Sequence, residues 1–280
     1  MREINVKTVS DAVRDMCISI NYELSADVQE ALKKGEAEET GDLGKKILGI
    51  LEENLAIAGN DNIPICQDTG MAVVFLEVGQ DVHFIGGSIE DAVNDGVARG
   101  YTEGYLRKSV VRDPLDRVNT NDNTPAVIHY SIVPGEEVRI TLAPKGFGSE
   151  NMSRVFMLKP ADGEQGVLDA IVTAVKDAGP NACPPVFVGV GVGGTFEKCA
   201  ILSKKALTRP AGSSNPAAHI AALEEKALEE INKLGIGPAG LGGNVTALSV
   251  NIETYPTHIA GLPVAVNICC HVNRHISKVI

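Results

Sequence analysis

The sequence has no tryptophan, and aromatic residues make up only 4% of its 280 positions. The core must therefore be built from aliphatic side chains, and 44% hydrophobic residues are enough for a large one. No apolar run approaches the roughly 18 to 20 residues that a membrane-spanning helix needs. Residues 1–14 intersperse charged and apolar side chains and lack the apolar stretch of a signal peptide. We therefore expect a cytoplasmic protein without a membrane partner.

Basic residues are scarce. Lysine and arginine number 25 against 36 aspartates and glutamates, which gives a formal net charge of −11. Such a chain repels phosphate backbones and anionic lipids, so we expect no nucleic-acid partner. A small anionic substrate stays compatible with this charge, because a few arginines at a binding site can outweigh the repulsion from the net negative charge of the chain.

The six cysteines form no C-x-x-C pair, which removes the main support for a zinc ribbon or a thioredoxin-like site. Disulfides are not expected in a cytosolic chain of this size. Any metal ligands must therefore come from distant parts of the chain. The cysteines are Cys17, Cys66, Cys183, Cys199, Cys269 and Cys270.

Three cysteines lie where a predicted loop meets a predicted strand: Cys66, Cys183 and Cys270. A backbone at such a junction can direct a thiolate into a shared cleft, so these three are candidate metal ligands. Cys17 and Cys199 occupy apolar positions of predicted helices, and a buried structural role is expected for them.

The hydrophobic pattern predicts an α/β (mixed α+β) fold, with a helical N-terminal region followed by a mixed β-sheet flanked by helices. We expect one catalytic domain over 1–280, with a helical region at 1–59 and a mixed α/β, cluster-binding region at 60–280. Ser88 is expected to cap a helix that reaches about Tyr105. Pro134-Gly135 predicts a hairpin between strands at 126–133 and 137–143.

Gly189-Val190-Gly191-Val192-Gly193-Gly194 matches the G-x-G-x-x-G pattern of dinucleotide-binding proteins. No acidic residue ends a second strand about 20 residues later, as that fingerprint requires. A glycine-rich turn that permits close backbone approach is the favoured interpretation, and a nicotinamide-dependent dehydrogenase is the weaker alternative.

Polar residues surround the candidate thiols. Gln67 and Asp68 follow Cys66, and His258 precedes Cys270 by twelve positions. Arg107 lies in a long polar loop, where a guanidinium could bind a carboxylate through two hydrogen bonds. For Asp68 the alternative is turn capping, and for Arg107 it is a surface ion pair.

Several separated motifs together resemble the class I fumarate hydratase family and its close relative, L(+)-tartrate dehydratase. They lie in the expected order along most of the chain. They are Ile65-Cys66-Gln67-Asp68-Thr69-Gly70, Gly104-Tyr105-Leu106-Arg107-Lys108-Ser109, Asn119-Thr120-Asn121-Asp122-Asn123-Thr124-Pro125, Lys145-Gly146-Phe147-Gly148-Ser149-Glu150-Asn151, Cys183-Pro184-Pro185 and Cys270-His271-Val272-Asn273-Arg274. Phe147 departs from the family, which commonly has glycine there.

The resemblance implies a 4Fe–4S cluster held by Cys66, Cys183 and Cys270, with one iron open to act as a Lewis acid. It also implies roles for residues around the cluster. Asp68 and His258 would be catalytic, with Asp68 a candidate for proton transfer and His258 in contact with substrate beside the open iron. Substrate would be bound by Gln67, Arg107, Gly148 and Ser149.

The chain ends soon after Cys270, whereas single-chain family members continue into a second domain. We therefore expect the alpha subunit of a two-subunit hydro-lyase, working with a beta subunit on a small dicarboxylate. The expected reaction is the reversible hydration of fumarate to (S)-malate, a step of the tricarboxylic acid cycle. Dehydration of L(+)-tartrate is the nearest alternative. A non-catalytic iron–sulfur redox or sensor protein is an alternative of another class, although it would not need Gln67, Asp68 or the arginine loop.

Overall fold

The computed structural model describes all 280 residues and confirms the predicted α/β class. Helices and strands follow one another from the first residues to the last. The helices are α1 (Val6–Tyr22), α2 (Ala26–Glu38), α3 (Asp42–Asp61), α4 (Ile89–Glu103), α5 (Phe147–Glu150), α6 (Gly163–Ala178), α7 (Phe196–Ala206) and α8 (Ala218–Asn232). The strands are β1 (Arg2–Asn5), β2 (Met71–Gly79), β3 (Val82–Ile85), β4 (Val127–Val133), β5 (Val138–Lys145), β6 (Arg154–Leu158), β7 (Val186–Gly193), β8 (Ala247–Tyr255), β9 (Leu262–Cys269) and β10 (Ile276–Val279). None of the helices is both long and apolar enough to span a bilayer.

The chain divides into two compact units. The first unit comprises Met1–Ser25, Leu55–Phe147 and Arg274–Ile280, and the second comprises Ala26–Asn54 and Gly148–Asn273. Helices α1 to α3 confirm the helical character of the N-terminal region. The expected arrangement as one catalytic domain with a boundary near residue 59 stays a prediction.

The first unit contains a four-stranded sheet in the order β10-β5-β2-β4, beside the parallel pair of β1 and β3. Strand β2 is buried along nearly its whole length, as its continuous apolar sequence requires. Helices α1 and α4 pack closely because α4 has glycine at the contact: a Cβ on Gly100 would lie 2.7 Å from the Cβ of Cys17. Ser88 caps α4 as predicted, since its hydroxyl accepts the N–H of Asp91.

The hairpin predicted at Pro134-Gly135 is wrong. Strands β4 and β5 do not pair with each other; both pair with β2, which lies between them, parallel to β4 and antiparallel to β5. The turn instead passes the end of β2, where the carbonyl of Gly135 accepts the N–H of Asp81. Strand β2, whose Val73 pairs with Val127 across 54 positions of sequence, therefore replaces the local pairing, because it offers a partner to a strand on each side.

The second unit contains a four-stranded sheet in the order β6-β9-β7-β8. On β7, Val186, Val188 and Val190 join the core formed with α6 and α8. Side chains alternate along a strand, so Gly189 and Gly191 face the other side, where α7 lies. A Cβ on Gly191 would collide with the carbonyl oxygen of Cys199 in α7.

The first glycines of the G-x-G-x-x-G pattern therefore lie within a strand and not in a turn. They do permit the predicted close backbone approach, here of a helix onto a sheet. Only Gly193 and Gly194 have the positive φ of a turn.

Candidate functional site

The segment Ile65–Gly70 follows α3 and carries Cys66, Gln67 and Asp68 into β2 of the first unit. Its backbone is hydrogen-bonded to structured neighbours before and after the cysteine. The N–H of Ile65 donates to the carbonyl of Asn21 in α1 at 2.9 Å. The hydroxyl of Tyr101 in α4 donates to the carbonyls of Thr69 and Gly70 at 2.8 and 3.0 Å. The backbone is thus held in place, while the side chains of Cys66 and Gln67 remain accessible.

Asp68 is half-buried, and each oxygen of its carboxylate accepts a backbone hydrogen bond. One accepts the N–H of Gly70 at 3.0 Å and the other the N–H of Phe147 at 2.8 Å. The turn-capping role considered from the sequence is therefore present. It fixes the orientation of the carboxylate and leaves lone pairs for a further donor.

Arg107 lies beside this segment because the Thr69 hydroxyl is hydrogen-bonded to both the backbone N–H and the backbone carbonyl of Arg107. The hydroxyl of Thr69 accepts the N–H of Arg107 at 3.0 Å and donates to the carbonyl of Arg107 at 3.2 Å. The Arg107 side chain is exposed. The first unit thus brings together Cys66, Gln67, Asp68 and the backbone of Arg107, which are 41 positions apart at most in the sequence.

Two buried polar residues support the arrangement and were not predicted from the sequence. Asn123 is fully buried, and its side chain accepts the N–H of Ser109 and donates to the carbonyl of Gly70. Asn21 is also fully buried and lies on the apolar face of α1, four positions after Cys17. A polar residue on the apolar face of a helix is the signal that could have identified Asn21.

Cys183 and Cys270 lie at the same edge of the sheet in the second unit. Strands β7 and β9 are antiparallel, and Phe187 near the start of β7 pairs with Cys269 at the end of β9. Cys183 precedes β7 in a left-handed conformation, with φ 53°. The ring Nδ1 of His271 lies 3.1 Å from the carbonyl oxygen of Cys183, so the two cysteine-bearing loops touch.

Gly148 and Ser149 lie toward this same edge, because the loop after them leads into β6, whose first residue pairs with Val266 of β9. The hydroxyl of Ser153 in this loop accepts the N–H of Ile268 at 3.1 Å. Gly148 is exposed and Ser149 is buried. Three predicted site segments therefore converge at one edge of the second unit's sheet.

His258 lies at the opposite end of β9, in the loop before the strand begins. Thr257 beside it donates to the carbonyl of Gly194, which follows the other end of β7. The eight residues of β9 separate this loop from Cys270, and at about 3.3 Å per residue they span roughly 26 Å. His258 and His219 line a cavity of about 420 Å³ there. The structure does not bring His258 to Cys183 or Cys270 within the second unit, and its contact with substrate beside the open iron stays a prediction.

The three remaining cysteines, Cys17, Cys199 and Cys269, are buried, which confirms the prediction for Cys17 and Cys199. Burial raises the pKa of the Cys17 and Cys199 thiols, so both stay protonated at neutral pH. Protonated, buried thiols are poor metal ligands. The accessible thiols are therefore those of Cys66, Cys183 and Cys270.

The donor chemistry fits an iron–sulfur cluster in part. Cys183 and Cys270 are accessible, form no disulfide and lie at one sheet edge. The side chains do not form a group of three or more His, Cys, Asp or Glu positioned to hold a metal ion. Cys66 belongs to the first unit and is accessible there.

These features define an α/β protein whose accessible thiols and polar side chains lie on loops at strand ends, where binding and catalytic residues are usually found. A family model described as fumarate hydratase (Fumerase) matches residues 10–279. The chain belongs to this family.

Relatives cover nearly the whole chain. A Methanocaldococcus jannaschii protein, provisionally named L(+)-tartrate dehydratase subunit alpha, is 39% identical over 277 residues, 96% of each chain. An L(+)-tartrate dehydratase subunit alpha of Escherichia coli strain UTI89 is 34% identical over 273 residues, 96% of this chain and 89% of its own. The protein of that name from Shigella boydii serotype 4 is 33% identical over the same shares. A fumarate hydratase and a tartrate dehydratase both add or remove water, so the names agree on the hydro-lyase class.

Proposed function

We propose that this chain is the alpha subunit of a two-subunit hydro-lyase that reversibly hydrates fumarate to (S)-malate. The observation that carries the proposal is the pair of hydrogen bonds between Thr69 and the backbone of Arg107. They hold the backbone of Arg107, whose guanidinium is suited to carboxylates, beside the segment that carries Gln67 and Asp68. The family match over residues 10–279 supports the same reaction class.

The proposed roles follow from side-chain chemistry. The exposed guanidinium of Arg107 binds one substrate carboxylate through two parallel hydrogen bonds. Gln67 contacts the substrate, and Gly148 and Ser149 supply backbone and hydroxyl donors. The oriented carboxylate of Asp68 exchanges a proton with the carbon next to a substrate carboxylate. The contact of His258 with substrate stays a prediction that this proposal does not use, because β9 separates His258 from Cys270.

Cys66, Cys183 and Cys270 would hold a 4Fe–4S cluster, for which iron–sulfur proteins normally provide four thiolates. When bound, such a cluster supplies a Lewis acid that weakens the bond to a departing hydroxide. The chain's own contribution is to hold the thiols on structured loop ends and to keep the other three cysteines buried.

Dehydration of L(+)-tartrate to oxaloacetate is the second candidate reaction. The names of the relatives favour it, since the proteins described above are tartrate dehydratase alpha subunits. L(+)-Tartrate has one hydroxyl group more than malate, on the carbon that loses its proton when water is removed. Those names also support a beta subunit as the partner, which would complete the site.

The experiment is to purify the chain without oxygen, together with a beta subunit from the same organism, and to reconstitute it with iron and sulfide. Initial rates with fumarate, (S)-malate, L(+)-tartrate and D-tartrate then separate the candidates. Rapid turnover of fumarate with slow turnover of tartrate supports the proposal, and the reverse preference assigns the tartrate reaction. No turnover of any dicarboxylate by an iron-loaded complex contradicts both.

The cluster ligands are tested in the same preparation. Cys66→Ala, Cys183→Ala and Cys270→Ala should each lose the visible absorbance and the iron, about four atoms per chain in a 4Fe–4S protein. Cys17→Ala and Cys199→Ala are the matched controls and should retain both. Full activity after prolonged exposure to air would contradict an open iron.

A further inference from the structure

Arg274 is a buried arginine in the first unit, with only 3% of its surface exposed. Its two hydrogen bonds go to neutral oxygens: Nη1 donates to the side-chain oxygen of Asn21 at 2.6 Å, and Nη2 donates to the carbonyl of Asp68 at 2.9 Å. Its Nε–H is buried without a hydrogen-bond partner. Burying a guanidinium in this way costs stability, so packing alone does not explain it.

The two acceptors show what the guanidinium connects. Asn21 receives the N–H of Ile65 on its backbone carbonyl and the Nη1–H of Arg274 on its side chain. The Asn21 amide group donates to the carbonyl of Cys17, which fixes its orientation. Arg274 therefore joins the end of α1 to Asp68, and the bonded residues Ile65 and Asp68 bracket Cys66 and Gln67.

We propose that Arg274 is a positioning residue for the segment Ile65–Gly70, with Asn21 as its anchor in α1. The planar guanidinium reaches both acceptors at once and thereby sets the orientation of Cys66 and Gln67. A lysine ammonium keeps the charge but lacks the rigid, planar arrangement of N–H donors that lets a guanidinium bond two acceptors at once. The hydrogen bonds from Arg274 to Asn21 and Asp68 do not depend on the proposed function. The inference rests on that function only for the reason why Cys66 and Gln67 need to be positioned.

The primary test uses the full chain without metal, kept reduced and free of oxygen. The alkylation rate of each thiol with iodoacetamide is measured by mass spectrometry in the wild type, Arg274→Met, Arg274→Lys and Asn21→Ala. Arg139→Met removes an exposed arginine from the same unit and is the matched control. Cys183 in the same molecule is the internal reference.

Arg274→Met should raise the alkylation rate of Cys66 about tenfold. This is the effect expected when the segment Ile65–Gly70 loses a hydrogen bond to a charged group and opens locally more often. Asn21→Ala should act in the same direction, Arg274→Lys should lie between Arg274→Met and the wild type, and Cys183 should not change. A Cys66 rate equal to wild type in a folded Arg274→Met or Asn21→Ala variant would overturn the proposal. A wild-type rate in Arg274→Lys would also overturn it, because the charge alone would then suffice.

Circular dichroism melts identify any variant that fails to fold. If Arg274→Met does not fold, Asn21→Ala decides, since it removes one acceptor and no charge. After reconstitution, the electron paramagnetic resonance spectrum of the reduced cluster should change in Arg274→Met and return toward wild type in Arg274→Lys. If the wild type binds no iron, the proposed function fails, while the alkylation rates still test the positioning.

Discussion

The N–H of Phe147 donates a hydrogen bond of 2.8 Å to Oδ2 of Asp68, across 79 positions of sequence. Gly70 binds the other oxygen of the same carboxylate. These bonds aim the carboxylate without a salt bridge, so its charge remains available to a substrate. Phe147 donates with its backbone N–H, so this bond does not depend on the side chain at that position.

Replacing Asp68 with asparagine should separate the chemistry from the fold. The amide oxygen can still accept one backbone N–H, so the free energy of unfolding should fall by only about 1 kcal/mol, the net worth of one hydrogen bond. An amide cannot transfer the proton, so kcat should fall by about 100-fold or more, as for loss of a general base. Thermal melts and steady-state rates are the measurements.

Asp61→Asn provides the control for Asp68→Asn, because Asp61 is exposed at the end of α3. It should leave both rate and stability unchanged. A wild-type kcat in folded Asp68→Asn would assign Asp68 to turn capping alone.

Arg107→Met should weaken substrate binding while leaving the fold intact. Its backbone bonds to Thr69 persist, but the carboxylate loses two charge-assisted hydrogen bonds. At about 1.5 to 3 kcal/mol for the loss of hydrogen bonds to a charged group, KM should rise by roughly 10- to 150-fold. Arg112→Met, in the same loop and also exposed, is the matched control and should keep the wild-type KM. Equal effects from both substitutions would indicate a general electrostatic role of the loop.

Gly148→Ala tests whether substrate approaches the backbone at this position. A Cβ at Gly148 would have no atom within 4 Å, and its φ is not in the left-handed region, so the apo protein should not be destabilised. A methyl group in the path of a bound substrate should cost about 1 to 3 kcal/mol, which corresponds to a KM roughly 5- to 150-fold higher.

Gly59→Ala is the companion to Gly148→Ala, since Gly59 also has open space, in this case on the surface of α3. It should leave KM unchanged and raise stability by about 0.5 to 1 kcal/mol through helix propensity. An unaltered KM in Gly148→Ala would remove Gly148 from the substrate site.

Glu39 should make the second unit sensitive to acid. Its side chain is 1% exposed, and its carboxylate accepts the backbone N–H groups of Thr40, Gly41, Asn244 and Val245. Burial by itself would raise the pKa of Glu39, but the four donors outweigh it and lower the pKa below its ordinary value of 4.5. The stabilisation is therefore complete above pH 4.5 and is lost as the pH falls through the lower folded-state pKa.

Glu39→Gln should reduce the free energy of unfolding by about 1 to 3 kcal/mol at neutral pH, because the amide leaves buried donors without an acceptor. Denaturant melts between neutral pH and pH 3 are the measurement. The wild type should lose stability below pH 4.5 more steeply than the variant. Parallel curves would show that Glu39 does not titrate with unfolding.

Local pattern was sufficient for several features. Helical spacing placed Cys17 and Cys199 in the core, and burial of both followed, because the apolar face of a helix can be identified from neighbours three and four positions away. Ser88 was recognisable as a cap for the same reason, since its hydroxyl bonds an amide three residues later. The position of Cys66 after a turn and before β2 was also apparent locally.

The sequence alone thus determined the α/β class, the helical N-terminal region, the helix that follows Ser88, the buried and accessible cysteines and the family. The tertiary structure decided which strands pair and which loops meet. It placed β2 between β4 and β5, paired the C-terminal strand β10 with β5, and put His258 and Cys270 at opposite ends of β9, only twelve positions apart. The bridge from Asn21 through Arg274 to Asp68 spans 253 positions. Such contacts depend on which distant apolar surfaces are buried against each other. The local spacing of hydrophobic residues does not predict this.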